Sequence, residues 1–233
     1  MSEKQSVIKH LEEFRRRIII SCATLLFFSI LFYPLTDRIL LIVEDQLLGG
    51  FKFNVIVLTP FEAVLVRLKT SFLIGFLAAS PIILYHTLKF TLPALEKREK
   101  KILSISLFFS IMLFFMGCLF AYQVLLPISY KILIGFATPI ATPMLSLSAL
   151  IDLSLTLMVI SGLIFQWPLI AALLVKLKIV TSKQLSEKRR HAILASFIVS
   201  AIVTDPSFIT QLILGIPMVF LYEVGIFTAK HVE

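Results

Sequence analysis

Six apolar runs alternate with polar, mostly basic segments along the chain. An apolar run of about twenty residues has the length of a membrane-spanning helix. Because the longest polar stretch between the runs is too short to form a soluble domain, residues 1–233 are predicted to form a single all-α membrane domain. The six predicted spans lie at approximately residues 18–34, 66–88, 102–126, 149–175, 192–203 and 208–227.

Prolines mark several predicted boundaries between spans and loops. Pro34 is expected to end the first span and Pro127 the third, because proline lacks the amide hydrogen that a helix needs. The mixed stretches Leu35–Leu58 and Ile128–Leu147 are predicted to be loops on the exterior side, the first of them partly ordered.

Capping patterns predict where several helices begin. Thr59-Pro60-Phe61-Glu62 and the pair Thr181 and Gln184 both have capping-box spacing, and the second is expected to open the helix that carries the fifth span. Asp205-Pro206 is an N-cap followed by an N1 proline, and Pro93 suits a further helix start. Pro81 is expected to kink the second span.

The distribution of basic residues predicts the orientation. The N-terminal segment carries five Lys or Arg, residues 89–101 carry five, residues 176–190 carry six and the C-terminus carries one, so 17 of the 22 basic residues lie on one side of a six-span arrangement. Basic residues accumulate on the cytoplasmic side. Both termini are therefore predicted to be cytoplasmic.

The fifth predicted span is short. Its apolar part, residues 192–203, would be about 18 Å of helix, whereas the hydrocarbon core is about 30 Å thick. One interpretation is that spans five and six do not cross a full bilayer, or that the bilayer thins around them. The alternative is that the fifth helix extends through its polar flanks and crosses normally.

The composition supports a membrane protein. Hydrophobic residues make up 58% of the chain and charged residues 15%. The net charge of +8 does not point to nucleic acid, because the basic residues flank apolar runs. Cys22 and Cys118 both lie inside such runs and are expected to act as buried apolar residues.

Signatures of catalysis and of cofactor binding are absent from the sequence. The four histidines are scattered, and no metal-ligand spacing, nucleophile motif or phosphate loop occurs. No enzymatic activity and no cofactor are predicted. A small-solute or ion transporter is the main alternative; it would predict inverted repeats and an intramembrane charge cluster, which the sequence lacks.

Three carboxylates at the predicted cytoplasmic surface are candidates for binding. Glu12 and Glu13 precede the arginines of Arg15–Arg17, and Glu99 lies in the basic segment before the third span. They either form local ion pairs on solvated faces or accept guanidinium groups from a ligand, for which bidentate Arg–carboxylate geometry gives specificity.

Polar side chains inside spans four and six form a second candidate site. Gln166, Gln211 and Glu223 are costly in lipid unless they face protein or water. Each either forms a hydrogen bond between helices or contacts a segment inserted between them.

Several motifs resemble one family in order along nearly the whole chain. They are His10-Leu11-x-Glu13-x-Arg15-x-Arg17, Ser80-Pro81-Ile82-x-Leu84-Tyr85, Phe90-x-x-Pro93-Ala94-Leu95-x-x-x-Glu99, and Gln211-x-x-Leu214-x-Ile216-Pro217-Met218-x-x-x-Tyr222-Glu223-x-Gly225. The sequence is similar to TatC, the receptor subunit of the twin-arginine protein translocase.

The resemblance implies a glove-shaped, concave bundle with short helices five and six, and a cytoplasmic site for the paired arginines of signal peptides. The implied signal-binding residues are Glu13, Glu99, Arg15, Arg17, Phe90 and Pro93. Gln166 and Gln211 would be polar residues of the concave face, and Pro60 and Glu62 would belong to a sensitive exterior loop.

The resemblance also implies partners and a location. Folded cargo with twin-arginine signals, single-span TatA- or TatB-type subunits, further copies of the chain and the bilayer are the expected partners, with the proton gradient as energy source. A bacterial inner membrane is expected, and an organellar membrane stays open. Two departures stand out, since Gln166 and Ser207 occupy positions where the family often has acids; Asp205 lies two residues from Ser207.

Overall fold

A computed structural model describes residues 3–48, 55–91, 100–137, 144–204 and 208–232 of the chain, and almost all of these residues are helical. Close contacts divide them into two compact units. The first comprises residues 1–43 and 59–111, and the second comprises residues 44–58 and 112–233.

The first unit is built on two long antiparallel helices that pack along their lengths. The first helix ends before Pro34, as predicted, and a 3₁₀ turn at Tyr33–Leu35 leads directly into the next helix. The helices of this unit are α1 (Glu3–Phe32), the first part of α2 (Thr36–Leu48), α3 (Pro60–Thr91) and the first part of α4 (Lys100–Phe120).

The expected loop at Leu35–Leu58 is wrong for residues 36–48, which are helical. The Thr36 hydroxyl donates to the Tyr33 carbonyl at 2.8 Å, and Asp37 pairs with Arg67 of α3 at 3.0 Å. These contacts hold the chain in a helix immediately after the proline turn, so Pro34 causes a change of helix type and not a loop.

The predicted start of α3 is confirmed. The Thr59 hydroxyl accepts a hydrogen bond from the amide of Glu62 at 3.2 Å, which is the first half of a capping box. Pro81 lies within α3, and the helix is continuous through it. The predicted helix start at Pro93 lies outside the described residues, as does the one at Asp205-Pro206.

The second unit begins with the second half of α4, which continues through a π-helical segment at Ala121–Leu125 into α5 (Leu126–Ala137). The helix therefore continues through Pro127, and the loop predicted at 128–137 is wrong. The end of the membrane span stays a prediction. In a regular helix the ring of Pro127 would clash with the carbonyl of Gln123, four residues earlier. Gln123 lies inside the π-helical segment, where the backbone is wider. The wider turn lets the helix continue past the proline.

Five further helices complete the second unit: α6 (Leu147–Ile164), α7 (Trp167–Lys176), α8 (Ser182–Glu187), α9 (Arg189–Val203) and α10 (Phe208–Val232). The break between α6 and α7 falls at Gln166 and Pro168, as predicted. Two short strands, β1 (Val55–Ile56) and β2 (Leu145–Ser146), pair in parallel.

The capping box at Thr181 is confirmed, with both reciprocal bonds present at 3.0 and 3.2 Å. It opens α8, however, and the chain turns at Lys188 before α9 begins. The box therefore belongs to a separate short helix and not to the one that carries the fifth predicted span.

Among the residues that the structure describes, five stretches are long and apolar enough to cross a membrane: Leu11–Val43, Pro60–Thr91, Leu103–Phe136, Leu147–Lys176 and Phe208–Val232. The fifth predicted span lies on α9, which has 15 residues. Its crossing stays a prediction, as do the six-span count and the orientation.

Candidate functional site

The candidate site is a groove on the first unit, between the N-terminal half of α1 and the C-terminal end of α3. Its volume is about 330 Å³ and its walls are largely apolar. Phe14, Arg17, Ile18, Ser21, Cys22 and Leu25 line it from α1, and Ile83, His86, Thr87 and Phe90 line it from α3.

Helical spacing explains why these residues share one groove. Positions 14, 17, 18, 21, 22 and 25 follow one another at intervals that keep them on one face of a helix, and so do 83, 86, 87 and 90. The two faces approach closely, because the Phe14 and Phe90 ring centroids are 5.0 Å apart.

Glu13 does not line the groove, but it is paired with Arg17, which does. It accepts a hydrogen bond from Arg17 Nε at 3.1 Å and a shorter one from Nη2. Of the two alternatives for Glu13, the structure shows the local ion pair. Residues four apart on a helix are neighbours, so this pairing follows from the local sequence.

Arg17 is the more buried partner, with 12% of its side chain exposed against 42% for Glu13. Its Nη1 also lies 3.5 Å from the carbonyl oxygen of His86 on α3. An ion pair at four-residue spacing on an exposed helix face contributes only about 0.5 kcal/mol. Because Arg17 is mostly buried, it needs an anionic partner, and a ligand that displaces it from Glu13 must leave it another one.

The remaining predicted signal-binding residues are only partly placed. Phe90 lines the groove, and Arg15 is exposed on α1. Glu99 and Pro93 lie outside the described residues. The groove thus brings together Arg17 and Phe90, and Glu13 pairs with Arg17.

His86 is a groove residue that the sequence analysis missed. Its Nδ1 atom is buried without a hydrogen-bond partner among the described residues. The four histidines are scattered along the sequence, but the four-residue spacing of His86 and Phe90 places both on one helix face.

The predicted polar residues of spans four and six belong to the second unit. Gln166 precedes α7 and is 6% exposed. Gln211 Nε2 on α10 donates to the Phe197 carbonyl of α9 at 3.1 Å, which is the interhelical hydrogen bond considered as one alternative. Glu223 pairs with Arg189 at 2.9 Å and also joins these two helices.

Pro60 and Glu62 open α3 in the first unit. Pro60 is the first residue of the helix, and Glu62 is 8% exposed. The Glu62 amide donates to Thr59, as described above. Both residues therefore order the start of the helix that carries the groove at its other end.

Comparisons with known proteins point to one family. The family model described as Sec-independent protein translocase protein (TatC) matches residues 9–217. The TatC protein of Aquifex aeolicus is 36% identical over 225 residues, covering 95% of this chain and 93% of that protein. The one from Carboxydothermus hydrogenoformans is 33% identical, covering 98% and 94%.

Solved structures agree with the sequence comparison. A crystal structure of the twin arginine translocase receptor TatC superposes with a TM-score of 0.84 at 36% identity, covering 96% of this chain and 99% of that one. A second crystal structure of that receptor, in DDM, gives a TM-score of 0.85 at 36% identity, covering 94% and 98%.

Proposed function

Because the chain belongs to the TatC family of Sec-independent protein translocase proteins, we propose that its α1–α3 groove mouth is the receptor site for twin-arginine signal peptides. The chain is a multi-pass membrane protein and a component of the Tat protein-translocation system. The transporter alternative is not favoured. The family is one of translocases and not of known enzymes, and we assign no catalytic step.

The observation that carries the proposal is the Glu13–Arg17 pair at the groove mouth. The guanidinium group of Arg17 already donates to the Glu13 carboxylate. The carboxylate is therefore placed to accept hydrogen bonds from a guanidinium group. A signal peptide offers two guanidinium groups and can replace the internal one. Charge-assisted hydrogen bonds contribute about 1.5–3 kcal/mol each, so the contacts of two peptide guanidinium groups can together outweigh the one internal contact of the same kind.

The two arginines of the peptide need two acceptors. We assign Glu13 to one and Glu99 to the other, with Arg15 and Pro93 adjacent in the site and Phe90 packing beside Phe14. Lysine is a point charge and cannot form the forked contact. The site should therefore distinguish a twin-arginine peptide from its twin-lysine version.

The chain works in a translocation complex with other subunits. We propose that these are single-span TatA- and TatB-type proteins, together with further copies of the chain. The polar residues Gln166 and Gln211 remain our candidates for contacts on the second unit.

The test compares capture of twin-arginine and twin-lysine signal peptides by the purified full chain. Glu13→Gln and Glu99→Arg should each weaken binding of the twin-arginine peptide by about tenfold or more, as expected for a lost charge-assisted contact. Glu12→Gln removes the same charge at the neighbouring exposed position and is the matched control.

Equal capture of the two peptides by the unmodified chain would reject the receptor site. Equal effects of Glu13→Gln and Glu12→Gln would remove Glu13 from it. Thermal unfolding of each variant distinguishes lost binding from lost folding.

A further inference from the structure

The apolar part of the groove extends away from Glu13, toward the interior of the predicted membrane. From Arg17 to Leu25 the lining of α1 advances eight residues, which is about 12 Å along a helix. Its mouth is cationic and its floor is apolar. A groove that is cationic at one end and apolar along the rest suits an amphiphile with an anionic head group.

Two groups at the mouth can bind an anion. Arg17 faces the groove and is mostly buried, and its guanidinium has five donors in a fixed fork that suits phosphate. His86 Nδ1 is buried and has no partner in the part of the chain that the structure describes. A phosphate oxygen at this place would give His86 Nδ1 a partner and would offer Arg17 a second anion besides Glu13.

We propose that this groove holds one acyl chain of an anionic phospholipid, with the lipid phosphate bound by Arg17 and His86. Clusters of basic residues next to a span attract anionic lipids at the cytoplasmic leaflet, and Arg15 and Arg16 extend the positive charge at this mouth. We favour a lipid over an inserted peptide segment because the apolar part of the groove ends at the positive charge of Arg17. This charge suits the anionic head group of a lipid.

The site has a consequence for peptide binding, which rests on the receptor function proposed above. Arg17 is shared, since it pairs with Glu13 in this structure and would bind the phosphate when lipid is present. A bound phosphate therefore draws Arg17 from Glu13 and leaves that carboxylate for the incoming guanidinium. The lipid in this way favours the receptive state of the site.

The first experiment measures lipid retention without any peptide, by native mass spectrometry of the full chain released from mixed phosphatidylglycerol and phosphatidylcholine. Phosphatidylglycerol should be retained in preference. Thr87→Phe and Ser21→Phe, which fill the groove, and Arg17→Gln should each reduce that retention about tenfold, equivalent to about 1.4 kcal/mol.

Matched controls separate the groove from general effects. Leu26→Phe adds bulk at an exposed position of α1 outside the groove, and Lys183→Gln removes one exposed positive charge that does not line it. Both should retain lipid as the unmodified chain does. Folding is checked by thermal unfolding, and Thr87 is exposed, so its variant does not depend on repacking α1 against α3.

Three outcomes would overturn the proposal. Retention of phosphatidylcholine equal to that of phosphatidylglycerol would exclude selection for an anionic head group, because both lipids carry a phosphate and only their net charges differ. Equal competition by soluble glycerol phosphate would indicate a phosphate site without an acyl groove. Loss of peptide binding in Thr87→Phe with unchanged lipid retention would assign the groove to the peptide.

The second experiment measures twin-arginine peptide binding in nanodiscs with and without phosphatidylglycerol. The lipid should strengthen binding several-fold in the unmodified chain and leave Thr87→Phe unaffected. An unmodified chain that retains phosphatidylglycerol but binds no twin-arginine peptide in either nanodisc would reject the receptor function and keep the lipid site. Peptide binding that is independent of phosphatidylglycerol would overturn the regulatory role.

Discussion

Glu13 and Gly75 show how single residues set the properties of the first unit. The Glu13 carboxylate is ordered by Arg17 one turn away, so it is present in a binding geometry before any ligand arrives. Gly75 on α3 lies directly against Ser29 of α1. The absence of a side chain at Gly75 lets the two helix backbones approach closely, which keeps the walls of the groove together.

Gly75→Ala should destabilise the first unit. A Cβ atom at this position would lie 2.6 Å from the backbone nitrogen and 2.7 Å from the Cα atom of Ser29, so one helix must move. We expect a loss of about 1–3 kcal/mol in the free energy of unfolding, measured by chemical denaturation in detergent.

Gly135→Ala is the control, because a Cβ atom there would meet nothing within 4 Å. Its effect should be neutral or stabilising by up to about 1 kcal/mol, the helix-propensity difference between the two residues. Equal destabilisation by both substitutions would show that the close approach at Gly75 contributes nothing.

At the scale of elements, the second unit is held by side chains that bond to the backbone of another helix. Tyr130 of α5 donates to the Leu150 carbonyl of α6 at 2.7 Å. Tyr222 of α10 donates to the Leu185 carbonyl of α8 at 2.8 Å, and its ring stacks on Trp167 of α7 with the centroids 5.6 Å apart. Tyr222 therefore joins three helices.

Tyr222→Phe should keep the stacking on Trp167 and lose the hydrogen bond to Leu185. The Leu185 carbonyl would then lose a buried donor, and we expect the free energy of unfolding to fall by about 1 kcal/mol. The same measurement on Tyr33→Phe, at a position 39% exposed, should show little change. A Tyr222→Phe protein as stable as the unmodified one would mean that the hydroxyl is replaced by other contacts.

For the whole molecule, the length of α9 is the property with the widest consequence. Its 15 residues span about 22 Å, which is more than the 12-residue apolar run alone but less than the roughly 30 Å of a hydrocarbon core. The helix adds the three polar residues Arg189, Arg190 and His191 to the apolar run. A short crossing helix would favour a locally thinned bilayer.

The chain should therefore be more stable in bilayers of short-chain phosphatidylcholine than in long-chain ones. Mismatch costs a fraction of a kcal/mol per Å, so the preference should be measurable by unfolding in the two bilayers. A variant in which about two helical turns of leucine are inserted between Ile202 and Val203 should lose the preference. No dependence on chain length in the unmodified protein would reject a mismatched α9.

Local signals in the sequence determined the points where helices begin and break. The end of α1 before Pro34, the start of α3 at Thr59-Pro60 and the capping box at Thr181 all depend on residues within one turn of each other. Such interactions form in the same way whatever the rest of the chain does. The membrane class followed equally from the lengths of the apolar runs.

Only the tertiary structure decided which segments between those points are helical and which residues form the groove. Residues 36–48 are helical, and Asp37 among them pairs with Arg67. Residues 126–137 are also helical, and Tyr130 among them bonds to Leu150. Both contacts join residues that are distant in the sequence. The groove likewise joins Arg17 to His86, which are 69 positions apart. Periodicity assigns a residue to a face of its helix, but the packing of α1 against α3 decides which faces meet.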